Sequence, residues 1–482
     1  MDLKPILLHA QSLCQRGHWQ QAEQLLQTVS NPPPVDPEFW YLMAGIMGWR
    51  GDYAAAEAHC RRALLLKPDY GLAYFRLGNA LDALARRPEA LDAYDYALRL
   101  LPEYEHLWNN KGVSLMALAR PKEAEHCFRK ALTFQPSIAS FEVNLGLALA
   151  AQGFMREAIT HFEQACRLDP EEAEAHWSLA NAWLALGEYT QGWPYYDWRW
   201  RRRNKQRRQY LAPLWQGQQV HQQRVFVYPE QGQGDAIQFI RFVALLKNRG
   251  AITWVQCDPS LLALFKTAEG IDTLSVDEPR EFDFHLPIAD LPKYFVKSDQ
   301  DIPQAGGYIE VPSGDYTALK RRLVLGEPRR RIGLVWAGNP KHANDFNRSC
   351  PLEALRPLFA HSSAQFYSLQ KEPVTHEDQS LLQRAGVISL GDLLENFAQT
   401  AFALKQLDLL ISVDTSVAHL AGALAVPCWL MLPLAPDWRW QLESRDTPWY
   451  ESLVLYRPPQ IGDWSANVAA INSDLMRFLG AV

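Results

Sequence analysis

Pro68, Pro102, Pro136 and Pro170 follow one another at intervals of 34 residues. Ala56, Ala90, Ala124 and Ala158 keep the same step, and so do Ala63, Ala97, Ala131 and Ala165. A chain that returns to small residues at two fixed phases and to a helix breaker at a third is one supersecondary unit stacked on itself. Each unit reads as two helices. Gly78, Gly112 and Gly146 stand where the first helix must let the second approach, and the alanines of the second let neighbouring units pack. Bulky Trp40, Tyr74 and Trp108 open successive units, and Cys60, Tyr94, Phe128 and Phe162 fill the matching slot on the second helix. Proline ends each pair because it pushes the residue before it out of the helical region.

This period and layout are the signature of tetratricopeptide repeats. Four regular repeats cover about 37–172, a looser first one covers 4–33, and a degenerate sixth, with Gly192 at an alanine position, covers 173–206. The expectation for 1–206 is an all-α superhelix with a protein partner on its concave face. Asn110 and Asn144 share one register, and their amides suit a peptide backbone. Leu42, Arg76 and Ser178 hold that register elsewhere, so plain solvated surface is the alternative.

At 482 residues the chain is too long for one core, and about three units are expected. A net charge of −6 argues against a chain built to coat nucleic acid or an anionic membrane. No run of about 18 apolar residues suggests a membrane span, and the first twenty residues lack a basic start followed by an apolar core. The seven cysteines show no CxxC pair, which fits buried thiols in a reducing compartment. The expected location is cytoplasmic. Seven of the ten residues from Arg199 to Arg208 are basic; this reads as a solvated capping segment joining two domains, with phosphate or nucleic-acid binding as the alternative.

Beyond about residue 220 the period vanishes. Strand-like runs at 224–230, 252–258 and 272–278 alternate with helices at 235–249 and 259–268. A second set runs through 331–338, 365–370, 386–390, 407–413 and 427–432, with helices near 396–405 and 416–425. Such alternation predicts parallel, doubly wound α/β sheets. The polar stretch 315–330 divides them into two Rossmann-like lobes, 207–325 and 326–482. Ligands of these sheets lie beyond the carboxyl ends of the strands.

The loops at those ends hold the candidate residues. The first strand runs into Glu230-Gln-Gly232-Gln-Gly234-Asp235, where glycine allows close approach and a helix start favours negative charge. Asp235 reads either as a helix cap or as a catalytic carboxylate. Trp336-Ala-Gly-Asn339-Pro-Lys341, with Arg348 further on, offers cations to a phosphate or forms an ordinary exposed loop. Gln370 and Lys371 end another strand. Asp414, Thr415 and Ser416 mark a strand-to-helix junction suited to a diphosphate or to plain N-capping by Asp414 or Thr415, with His419 inside the helix as a ligand or as a packed core residue.

The segments QGxGD at 231–235, GLVWAGNPKHxxDxNRS at 333–349, SLQK at 368–371, DTSVAHLAGAL at 414–424 and APDWRW at 435–440 resemble bacterial repeat-containing glycosyltransferases of the GT-B fold. These are similar in layout to O-GlcNAc transferase and in their catalytic half to lipopolysaccharide heptosyltransferases; some glycosylate flagellin. The resemblance implies inverting, metal-independent transfer from a nucleotide-activated sugar to a Ser/Thr hydroxyl of a protein acceptor, with no cofactor. It implies that Asp414, Thr415, Ser416 and His419 hold the donor's phosphates and sugar. Lys341 would offset leaving-group charge, and Asp235 would be the general base. Gly232, Gly234, Asn339, Arg348, Gln370 and Lys371 would complete the donor side, and His285, facing the cleft, would touch acceptor or base. Transfer to a lipid or polysaccharide is one alternative, and a non-catalytic repeat scaffold with a retained transferase fold is another.

Overall fold

The computed structural model describes residues 3–30, 34–203, 205–303, 306–323, 329–341, 344–371 and 375–480. The chain forms two compact units, Met1–Ser178 and Leu179–Val482.

The first unit is a run of antiparallel helix pairs. Leu3–Gln15 pairs with Trp19–Gln27, Pro37–Arg50 with Tyr53–Leu66, and Gly71–Ala83 with Arg87–Leu100. Glu105–Ala117 then pairs with Pro121–Phe134, and Ala139–Ala151 with Met155–Leu168. The glycines act as their spacing predicts. A methyl added to Gly78 would come 2.4 Å from the Tyr94 ring, one on Gly112 2.5 Å from Phe128, and one on Gly146 2.5 Å from Phe162. The repeated alanines Ala63, Ala97, Ala131 and Ala165 are fully buried. Before each periodic proline, Lys67, Leu101, Gln135 and Asp169 leave the helical region, with φ near −140° and ψ of 89°, 64°, 90° and 99°. The turn inside each pair is also periodic: Gly17, Gly51, Ala85, Ala119, Gly153 and Gly187 all take the left-handed conformation, at φ between 56° and 86°.

The packing boundary differs from the one the period predicts. The repeat pattern runs to 206, yet the second unit starts at Leu179, within the helix Ala173–Ala185. The reason lies in the next helix, Tyr189–Tyr196. The Tyr189 hydroxyl donates to Asp299 at 2.8 Å, and the Trp193 indole donates to the Val296 carbonyl at 2.7 Å. The last repeat hairpin therefore packs as part of the α/β unit. The expected lobe boundary at 325/326 lies outside the described residues.

The α/β unit holds two sheets whose strands are all parallel. The first has β1 (Arg224–Tyr228), β2 (Ile252–Gln256), β3 (Thr273–Ser275) and β4 (Phe284–Pro287), in the order β3-β2-β1-β4. The second has β5 (Arg330–Val335), β6 (Ala364–Ser368), β7 (Ile388–Ser389), β8 (Leu409–Val413), β9 (Cys428–Met431) and β10 (Leu453–Tyr456), in the order β10-β9-β8-β5-β6-β7. All five residues of β8 are buried, as expected for a parallel strand covered on both faces. The helix expected over 235–249 is interrupted: Gln233–Phe239 is α-helical, Ile240–Phe242 tightens to a 3-10 turn, and Val243–Asn248 resumes the helix. A closing helix, Trp464–Gly480, buries Trp464, Val468, Ile471 and Leu475 in the core of the second sheet. All seven cysteines are free, and six of them are buried.

Candidate functional site

Each sheet reverses its strand order once. In the first, β2 and β3 lie to one side of β1 and β4 to the other; in the second, β8 returns to the far side of β5 from β6. The loops leaving β1, β4, β5 and β8 therefore diverge at switch points, where parallel sheets form ligand crevices. The two crevices meet. The Gln233–Phe239 helix after β1 packs against the Ser416–Ala423 helix after β8. A Cβ on Gly234 would lie 2.8 Å from His419 Cδ2 and 3.4 Å from Ser416 Cα, so only glycine allows this approach.

Asp235 occupies the centre of this contact. Its Oδ2 accepts the Gly232 backbone N–H at 2.9 Å, the capping half of its expected role. Its Oδ1 pairs with Arg439 Nη2. Arg439 is buried and also donates Nε to Gln238 Oε1 at 2.6 Å and Nη1 to Asp437 Oδ1 at 2.7 Å. Burial pushes the Asp235 carboxyl up from the usual range, against the pull of Arg439.

At the second crevice Thr415 is the N-cap residue of the Ser416–Ala423 helix, but its side chain makes no capping bond; its hydroxyl lies 3.4 Å from that of Ser412. The first amides of that helix thus have no side-chain cap and keep their affinity for an anion. Asp414 is largely buried, and burial, together with the Asp437 charge, raises its carboxyl to about 6. His419 is driven well below its ordinary value, first by burial and then by Arg439, Arg241 and Arg348. It is a neutral imidazole, with Nδ1 2.9 Å from the Tyr450 hydroxyl and its ring stacked on Trp440 at 5.2 Å.

The loop after β5 closes on itself. Ser349 Oγ accepts the Gly338 N–H at 3.0 Å and donates to Asp345 at 2.9 Å, and the Cys350 N–H reaches the Trp336 carbonyl at 2.8 Å. Arg348 sits at the neck, its buried Nε ion-paired to Asp345 at 3.6 Å without a hydrogen bond. Asn339 Oδ1 accepts the Lys341 N–H at 2.9 Å, which turns the loop tip and leaves the Lys341 side chain exposed. Gln370 faces inward: its Oε1 takes the N–H groups of Trp336 and Ala337 at 3.3 and 3.2 Å, and its Nε2 donates to the Ala337 carbonyl. It is a clamp on this loop. Lys371 is exposed and donates to the Glu395 carbonyl at 3.1 Å.

Three expectations need correction. His285 does not face a cleft. It lies within β4, 5% exposed, against Tyr210, Tyr228 and Phe282, with Nδ1 3.3 Å from the Tyr228 hydroxyl. An aromatic cluster on the strand, rather than the strand end, claims it. The basic segment is not uniformly solvated: Arg199 is buried between Glu230, at 2.9 Å, and Asp290, and its guanidinium stacks over Tyr196 and Trp200. Within the repeats, Asn110 donates to Asn79 at 3.0 Å and Asn144 donates to Asn109 at 2.8 Å. Their amides tie neighbouring repeats together, so neither is simply solvated surface. The sequence reading did not single out Arg439, Arg199, Asp290 or Glu230 as site residues. Two of them carried a local signal: Glu230 opens the loop after the first strand, and Arg439 lies in the APDWRW segment at 435–440.

Comparison with known proteins bears on part of this arrangement. Protein FlbA of Caulobacter vibrioides (strain ATCC 19089 / CIP 103742 / CB 15) is 23% identical over 322 residues, 61% of this chain and 54% of that protein. The chain thus spans about half the length of this curated relative. Similar solved structures include pilF of Pseudomonas aeruginosa (17% identity, TM-score 0.36, 40% of this chain and 87% of that one). They also include YrrB, a tetratricopeptide-repeat protein with an unusual peptide-binding site (23%, 0.30, 35% and 84%). The Tetratricopeptide repeat family model matches residues 75–139 and 143–197, and the N-terminal half of the chain carries these repeats.

Proposed function

We propose that the α/β unit is a glycosyltransferase of the GT-B type that moves a sugar from a nucleotide-activated donor to a hydroxyl of a protein recruited by the repeats. The observation that carries this reading is the meeting of two switch-point crevices at Gly234, Ser416 and His419. One crevice supplies the uncapped amides of the Ser416–Ala423 helix, with Arg348 at the neck of the neighbouring loop and Lys341 and Lys371 exposed. That is a chemistry for a diphosphate: backbone N–H groups and cations stabilise the charge that builds up as the sugar–phosphate bond breaks. The other crevice supplies carboxylates for the incoming hydroxyl. The bacterial enzymes that the sequence resembles include ones that glycosylate flagellin, which makes flagellin the first acceptor to try.

A second reading, a repeat scaffold with a silent transferase-like unit, draws support from Asp235. The expected base has both oxygens engaged, one by Gly232 and one by Arg439. Melting of the full chain with UDP, GDP, ADP and CMP separates the two readings. A nucleotide at 100 times its dissociation constant stabilises the folded state by about 2.7 kcal/mol, a readable shift. The expected outcome is a shift with one nucleotide that shrinks in Lys341→Ala and Lys371→Ala, whose exposed side chains can be removed without opening a core. No shift with any nucleotide would leave the scaffold reading standing.

A further inference from the structure

Three carboxylates gather at the carboxyl edge of the first sheet, and their surroundings separate them. Asp235 is engaged at both oxygens. Asp290, just beyond β4, is 0% exposed; its Oδ1 pairs with Arg199, and its Oδ2 is sealed in the interior 3.9 Å from Arg207 without a hydrogen bond. Glu230, two residues beyond β1, differs from both. Its Oε1 takes Arg199 Nε at 3.2 Å, Arg199 Nη2 at 2.9 Å and Gln231 Nε2 at 3.4 Å. Its Oε2 takes no hydrogen bond among the described residues and is not among the sealed atoms. The Glu230 side chain is 9% exposed, and a carboxylate held at one oxygen by a guanidinium and left unbonded, in that sense open, at the other is oriented for use at the open one.

We propose that Glu230 is the proton acceptor of the transfer reaction and that Asp235 is a positioning residue that holds Arg439 and the start of the Gln233–Phe239 helix. The inference rests on the glycosyl-transfer reading above. In the step, Oε2 takes the proton of the acceptor hydroxyl while that oxygen's electron pair forms the new bond to the anomeric carbon. The bond from that carbon to the donor phosphate breaks, its electrons leave with the nucleotide, and Glu230 later returns the proton to solvent. The surroundings favour this role. Burial and the like charges of Asp290 and Asp235 hold the Glu230 carboxyl above its ordinary value, in spite of Arg199, so the site binds a proton more readily than a free glutamate does. Arg199 comes from the last repeat hairpin, so the acceptor side of the crevice is completed by a segment that the sequence period assigns to the repeats.

The test uses the full chain and measures nucleotide release from UDP-glucose, UDP-N-acetylglucosamine, GDP-mannose, ADP-glucose and CMP-sialic acid. Each is run with water as acceptor and again with added azide, an anionic nucleophile with no proton to remove. The expected result for Glu230→Gln is release to water lowered by about 100-fold or more, with release to azide close to the wild-type azide rate and the nucleotide melting shift retained. Asp235→Asn should melt earlier and lose release to both nucleophiles together. Should Glu230→Gln melt well below the wild type, Glu230→Asp carries the same comparison, because it keeps the charge on Arg199 while withdrawing the open oxygen. Release to water within threefold of wild type, or silence with azide while the wild type responds, overturns the role of Glu230 alone. Silence of the wild type with every donor, together with no melting shift, overturns the transfer reading and this inference with it.

Discussion

Asp414 is placed against its own charge. Its carboxyl titrates near 6 in the folded chain, against about 3.9 for a free side chain. Between those values the folded state binds the extra proton, so this residue's contribution to stability falls as pH rises through the window and is fully unfavourable above it. Asp414→Asn removes the cost. It should stabilise the chain at pH 7.5 by roughly 1–3 kcal/mol relative to wild type, with the difference fading toward pH 4, read by urea unfolding at both pH values. His419 acts in the opposite sense: its folded value is depressed, so its contribution is present above about 6.5 and is lost as pH falls. A residue kept where it weakens the fold marks a place where function outweighs stability. The turn residues allow a simpler test. Ala119 sits at φ 56°, where the same turn has glycine at 17, 51, 153 and 187, so Ala119→Gly should stabilise the array by about 0.5–1 kcal/mol in thermal unfolding.

At the scale of elements, the last hairpin decides where the α/β unit begins. Arg199→Met leaves Asp290 buried without its hydrogen-bonded partner, with Arg207 left at 3.9 Å, and should lower stability by about 3–5 kcal/mol in urea titration. A chain started at residue 179 should fold and keep any nucleotide response, whereas one started at 207 should not, having lost Trp193 and Arg199. The sequence spoke clearly wherever one physical signal repeated. The 34-residue step located the helix pairs, and continuous apolar runs located β1, β2, β5, β8 and β9. It was quieter where an element is short. β4 spans four residues with a proline at its end, and β10 is read as a strand only once Cys428–Met431 is beside it; β7, two residues long, still fell inside the expected run 386–390. In the site, the glycine at 234 and the hydroxyls at 415 and 416 were legible because each answers to its own local backbone. Arg439 stood in the APDWRW segment, but its pairing was not legible, because Asp235 lies 204 residues away and periodicity says nothing about such a contact. His285 misled for a related reason: a histidine near a strand end looks available until the aromatic rings around it are known.

For the whole molecule, two compact units predict two separable melting events. Gly112→Ala forces a methyl group into the Phe128 ring and should lower the transition of the array alone. A bound nucleotide should raise the other transition alone, and calorimetry of the full chain distinguishes this from one merged event. The left-handed residue that returns at 17, 51, 85, 119, 153 and 187 has a consequence for how such a chain can change. Because every one of these hairpins turns on the same conformation and each of the regular pairs stops at a proline, a block of 34 residues can be inserted or removed in frame and each helix still meets a neighbour of the same kind. Length is then a digital variable for this protein: it can be reset in whole steps, like beads on a counting frame, while the carboxylates, arginines and glycines of the crevice stay as they are.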